Sequence, residues 1–299
     1  MPVRLDWVVH AAPSYLHAAA ASRTPRAGAE SPLLAAVAEP AAKLDTLAAA
    51  AGIDPGLLLD HLVPLSTGIP NPRELAEVAL RKSGGPSAVA AHTQPLSAVL
   101  GELYRAGQAV HADLEHDLRL RAGPLRELWE ARGSGLLRLI GGLTDRDLLP
   151  ESARVLLVQP VLGGGGQPHL GYNAVRIEAV LANPIEGLPE VARLGWLLST
   201  LNLDLGRFAD RLRRDRLSWI GPLALIPAAL AAASQVELTG DPQAALSRAV
   251  EHWFTGGWLP PPRGSAESLA DALDRWWRVY QAAPPPWNVA LEALDRLLA

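Results

Sequence analysis

"ARVLLVQPVLGGGGQPHLGYNAVRIEAVLA", residues 153–182, is where this chain stops reading as helix. Val155 to Val158 form an unbroken β-rich run, suited to a strand covered on both faces. The glycines at 163–166, followed by Gln167 and Pro168, read as a flexible loop. From Asn173 to Ala182 the sequence alternates, with Val175, Ile177, Ala179 and Leu181 on one side and Arg176 and Glu178 on the other. That period of two marks a half-exposed strand. The pair predicts an antiparallel hairpin over about 153–182, with the second strand at an edge. A hairpin alone is marginally stable, so "VRLDWVV" at 3–9 is expected to join it.

On both sides of this stretch leucine and alanine recur at helical spacing. Hydrophobic residues make up 49% of the 299, yet phenylalanine occurs twice, so leucine and alanine must fill most of the core. Both favour helix over sheet. The expected class is α+β, predominantly helical, with a small antiparallel sheet packed against helices. It forms a single domain, 1–299, with a helical N-terminal half (1–150) and a strand–strand–helix core followed by C-terminal helices (151–299). Helix starts are written at Asp54–Pro55, Asn71–Pro72, Asp241–Pro242 and Ser265. Pro40, Gly52, Gly84, "GGWLPPPRGS" and "AAPPP" read as starts or breaks. No fixed-period repeat supports a solenoid.

Several classes of function are disfavoured. A net charge of −4 argues against general nucleic-acid binding, which needs a concentrated positive field. The absence of cysteine removes thiolate chemistry and iron–sulfur or disulfide frameworks, and a cytoplasmic location fits. Asp6, His10 and Pro13 interrupt any secretory h-region. "WIGPLALIPAALAAA", residues 219–233, is short for a membrane span and holds two prolines, so a buried, kinked helix is expected. Gly163–Gly166 lack the lysine and hydroxyl residue of a phosphate loop, and the segment that follows reads as strand.

"VHADLEHDL", residues 110–118, concentrates His111, Asp113, Glu115, His116 and Asp117. His111 and Glu115 have the i, i+4 spacing of one helix face, whereas the two histidines are turned by about 140° from each other. A solvated polar face is the expectation. No G-x-S-x-G elbow occurs. Tryptophans 253, 258, 276, 277 and 287 gather near the C-terminus and are expected to pack between terminal helices.

The helix "LPEVARLGWLLSTLN", residues 188–202, resembles the H-E-x-x-H helix of zincin metallopeptidases, often written "HELGH". The preceding strand, Gly-rich connection and alternating strand match that arrangement in outline. The alignment puts the first histidine at Ala192, the glutamate at Arg193 and the second histidine at Trp196, with Leu194 and Gly195 matching the pair between. Alanine and tryptophan cannot ligate zinc, and a permanently charged guanidinium cannot act as base or welcome a dication. The resemblance therefore implies a degenerate scaffold with no catalytic residue, metal or cofactor.

What it implies about role is binding. In zincins an edge strand before the helix pairs with extended substrate, so Asn173, Val175, Arg176, Ile177 and Glu178 are expected to receive a peptide or protein partner by β-augmentation. Nucleic acid and membrane are not expected as partners, and the oligomeric state is open. The competing classes are a metal-independent enzyme assembled from separate helices, using the 111–117 cluster or His169, and a structural oligomer built through the tryptophan-rich helices.

Overall fold

The computed structural model describes residues 3–23, 31–255 and 265–299. Residues 24–30 and 256–264 lie outside the described residues, and with them Trp258 and most of the expected break "GGWLPPPRGS". The chain begins with β1 (Arg4–Val9), α1 (Ala11–Ala21), α2 (Pro32–Ala50), α3 (Pro55–Leu65), α4 (Pro72–Val110) and α5 (Leu114–Leu143). Three strands follow: β2 (Ser152–Val158), β3 (Gly166–His169) and β4 (Ala174–Glu178). Then come α6 (Glu190–Ser199), α7 (Gly206–Ala209), α8 (Arg214–Gln235), α9 (Pro242–Ala249), α10 (Ala266–Ala282) and α11 (Trp287–Leu297). The protein is α+β and predominantly helical, with a small four-stranded mixed sheet.

Local chemistry sets the helix ends. Asp54, Asn71, Asp241 and Ser265 each accept a hydrogen bond from a first-turn amide, at 2.8, 2.9, 3.0 and 3.2 Å. Three of them precede a proline, whose fixed φ and missing N–H suit the first helical position. Gly85, at φ +75°, kinks α4 one residue after the predicted stop. Pro40 neither starts nor breaks α2. That helix begins at the Ser31 cap and carries Pro40 inside it.

The sheet corrects the expected hairpin. Its order is β1-β2-β4-β3, so β1 joins the sheet as expected, but β4 is interior. The antiparallel hairpin is β3–β4, with Gly166 opposite Ile177, Gln167 opposite Arg176, Pro168 opposite Val175 and His169 opposite Ala174. The edge strand thus lies inside the stretch that reads as loop. Arg176 and Glu178 are 2% and 0% exposed. The alternation marks two covered faces of different polarity, not one wet face.

The chain divides into two compact units, residues 7–122 with 156–163, and residues 1–6, 123–155 and 164–299. This division differs from the halves at 150: the border falls within α5, and again within β1 and β2. In the first unit α1 packs against α2, α3 and α4. Gly107 of α4 lies against the Tyr15 ring, where any side chain would overlap it. In the second, α6 packs against β3 and β4 and also against α8. Helix α8 is long and apolar enough to cross a membrane, and 78% of its apolar window is buried inside the protein.

Candidate functional site

Helix α6, which carries the expected resemblance, is closed to solvent. Every residue from Glu190 to Ser199 is buried. Ala192 is fully covered. Trp196, 2% exposed, donates its indole N–H to the Pro222 carbonyl of α8 at 2.8 Å. Its ring stacks on Trp253 with centroids 5.7 Å apart. Gly195 faces Leu136 and Ile140 of α5, and a Cβ there would overlap Leu136. The three positions expected to align with a zincin's functional residues thus hold a methyl group, a guanidinium and an indole. Among the described residues no three His, Cys, Asp or Glu side chains converge as a ligand set.

Around the first turn of α6 the chain buries charge. Arg193, 1% exposed, lies 3.3 Å from the carboxylate of Glu190, 2% exposed. Neither carboxylate oxygen of Glu190 and none of the guanidinium nitrogens of Arg193 has a hydrogen-bond partner among the described residues. The backbone N–H of Glu190 donates to Asn183 Oδ1 at 3.1 Å. Glu178, at the end of β4, accepts the Gly164 N–H at 2.6 Å. Burial pushes the Glu190 carboxyl up to about 7; Arg193 pulls it down and Glu178 pushes it further up. Gly164, at φ +109°, runs directly over this pair. A Cβ there would stand 3.1 Å from Glu190 Oε1 and overlap Pro184.

Strand β3 supplies the open edge. The Glu178 N–H donates to the Gly165 carbonyl at 2.8 Å, which makes 165/178 a hydrogen-bonded pair. Such pairs alternate with non-bonded ones in an antiparallel ladder. With the observed register, Gly166 and Pro168 therefore turn their backbone groups away from β4. The edge offers the Gly166 N–H and the carbonyls of Gly166 and Pro168. Proline's missing amide faces outward, the usual place for proline in a sheet and one way to blunt an edge.

Of the residues expected at the edge, Val175, Arg176, Ile177 and Glu178 lie together inside, and Asn173 is exposed at the turn before them. Val175 and Ile177 are fully buried, Arg176 donates to Gln167 across the β3–β4 pair, and Asn173, at φ +47°, turns the chain and donates to the Ser152 carbonyl. Sequence reasoning misses β3 because four residues with glycine and proline carry no strand pattern.

The other clusters resolve separately. His111 Nε2 lies 2.8 Å from Asp117, whereas Glu115 accepts from the Ala11 N–H at 3.1 Å and pairs with Arg119 at 3.3 Å. His111 and Glu115 therefore engage different partners despite their spacing. A groove of about 460 Å³ is lined by His10, Tyr15, Tyr104, Glu115, His116 and Arg119. Burial raises the Tyr104 phenol well above its ordinary value, and its hydroxyl has no hydrogen-bond partner among the described residues. His169 is buried at the end of β3. Trp276 packs against Trp277 and Trp287 at 6.0 and 5.9 Å and donates to the Ala290 carbonyl at 3.0 Å. The described C-terminal indoles are core.

No protein family, curated protein or solved structure matches the chain.

Proposed function

We propose that this chain is a catalytically inactive, metallopeptidase-like scaffold that binds an extended peptide or protein segment along β3. The observation that carries the reading is the antiparallel edge strand β3 lying before a buried helix, in which the resemblance would put Ala192, Arg193 and Trp196 at the ligand and base positions. A strand added to β3 would donate to the Gly166 and Pro168 carbonyls and accept from the Gly166 amide. Such an edge gives affinity through main-chain bonds, each worth about 1 kcal/mol net. The same reading takes the chain as cytoplasmic, with α8 serving the core.

Selection of a displayed random-peptide library on the full chain tests it. Binders should protect the Gly166 amide from hydrogen exchange. Pro168→Val restores an outward N–H and should tighten them by about fivefold. Binders that leave Gly166 unprotected, or a library that yields none, would sink the proposal.

A second reading has one observation in its favour, the groove at Tyr104. It gathers two histidines, two carboxylates and a buried phenol, the materials of a metal-independent enzyme. Turnover lost on Glu115→Gln and on Tyr104→Phe, with the fold intact, would support that class over binding at β3.

A further inference from the structure

The groove at Tyr104 lies within the unit of residues 7–122 and 156–163, and its permanent charges do not balance. Glu115 is engaged on both carboxylate oxygens, by the Ala11 N–H at 3.1 Å and by Arg119 at 3.3 Å. Arg119 is the only arginine or lysine on the lining, so Glu115 holds the one permanent cation there. Asp113, exposed on the same lining, has no hydrogen bond or ion pair to its carboxylate among the described residues. Only its backbone carbonyl is used, by the amides of His116 and Asp117 at 3.0 and 3.2 Å.

Two further features favour a positive guest. Helix α4 ends at Val110, with Gln108 and Ala112 bringing that end to the groove. Its last turn carries no basic residue, so nothing in that turn answers the negative end of the helix dipole. The rings of Tyr15 and Tyr104 stand 6.1 Å apart, centroid to centroid. A tyrosine face attracts an ammonium, and a phenol oxygen accepts its N–H. The buried Tyr104 hydroxyl has no partner among the described residues, and a buried polar group left in that state is costly. The Tyr15 phenol registers the local field: burial, and then the charge of Glu115, hold its proton more firmly than usual. An anion would meet the same field with the wrong sign.

We infer that this groove binds an organic ammonium compound, with Asp113 supplying the counter-charge, Tyr15 and Tyr104 the ring faces and acceptor oxygens, and Ile69 and Pro70 an apolar wall for its body. The site shares its groove with the second reading above but needs no turnover. Nor does it rest on peptide capture, because β3 belongs to the other compact unit.

The experiment is an NMR titration of the full chain at pH 8 with 2-phenylethylammonium, 2-phenylethanol and phenylacetate, probes of similar size and different charge. The ammonium should shift the Tyr15 and Tyr104 ring signals saturably and bind about tenfold more tightly than the alcohol, while phenylacetate leaves them unmoved. Asp113→Asn, an exposed change that keeps the backbone carbonyl, should weaken the ammonium about fivefold and leave the alcohol unaffected. Tyr104→Phe should also weaken the ammonium about fivefold. The site is overturned if the ammonium causes no saturable shift, if the alcohol or phenylacetate binds as well, or if Asp113→Asn binds the ammonium like the wild type. Failed peptide capture would bear on β3 alone, and failed ammonium binding would leave β3 intact.

Discussion

Two Glu–Arg pairs in this protein have the same separation and opposite physics. Glu190 and Arg193 of α6 are 3.3 Å apart and buried; Glu115 and Arg119 of α5 are 3.3 Å apart, with Arg119 60% exposed. Water screens the second pair and solvates either partner if the other is removed, so such pairs contribute little. In the first, protein has replaced water without supplying hydrogen bonds, so each charge depends on the other. Distance alone describes neither pair; what surrounds them decides.

The sharpest way to break this comparison is Arg193→Ala. It should cost about 3–5 kcal/mol of stability in chemical denaturation, because the buried carboxylate of Glu190 loses its guanidinium. The double change Glu190→Leu with Arg193→Leu should recover most of that loss, since apolar side chains of similar size often replace a buried pair without penalty. A loss equal to the single variant's would show that shape, not charge, sets the cost.

Removing the indole beside the pair comes next in a different currency. Trp196→Ala opens a cavity under α8 and breaks the bond to Pro222, an expected loss of about 3–5 kcal/mol by thermal or denaturant unfolding. Comparison with Arg193→Ala separates packing from electrostatics, because the loss at Trp196 should not vary with pH.

A pH series sharpens the contrast further. Burial raises Glu190 to about 7 in the folded chain from 4.5. Its contribution is therefore fully present below about 4.5 and lost as pH rises through 7, by up to about 3 kcal/mol. The difference in unfolding free energy between wild type and Glu190→Gln, measured at pH 5 and pH 8, isolates this from exposed carboxylates. Glu39 and Glu292 are held low by neighbouring Lys43 and Arg211, so their effect has the opposite sign.

The smallest effect is expected at the exposed pair. Arg119→Ala should change stability by less than about 0.5 kcal/mol, and high salt should erase even that. A loss comparable to Arg193→Ala would show that Glu115, which also holds the Ala11 amide, depends on Arg119 for its position.

Much of this architecture was written in single residues. Asn71 with Pro72, Asp54 with Pro55, Asp241 with Pro242, and Ser265 mark helix starts through contacts made within three residues. The alternation at 174–178 foretold a strand. The sequence also settled that Ala192, Arg193 and Trp196 cannot perform zinc chemistry, because that depends on functional groups alone.

What tertiary structure decided is which strand is the edge and what Glu178 and Glu190 become. The edge beside β4 is β3, four residues whose pairing comes from β4 and whose one glycine and one proline have no strand preference of their own. The alternation of Arg176 and Glu178 reads as a wet face, and folding covers it. Glu190 lies twelve residues beyond Glu178 in the chain, and neither residue type nor spacing signals that they meet under Gly164. Local hydrogen bonds are set by neighbours in sequence, whereas burial and the cost of charge depend on everything that the fold brings alongside.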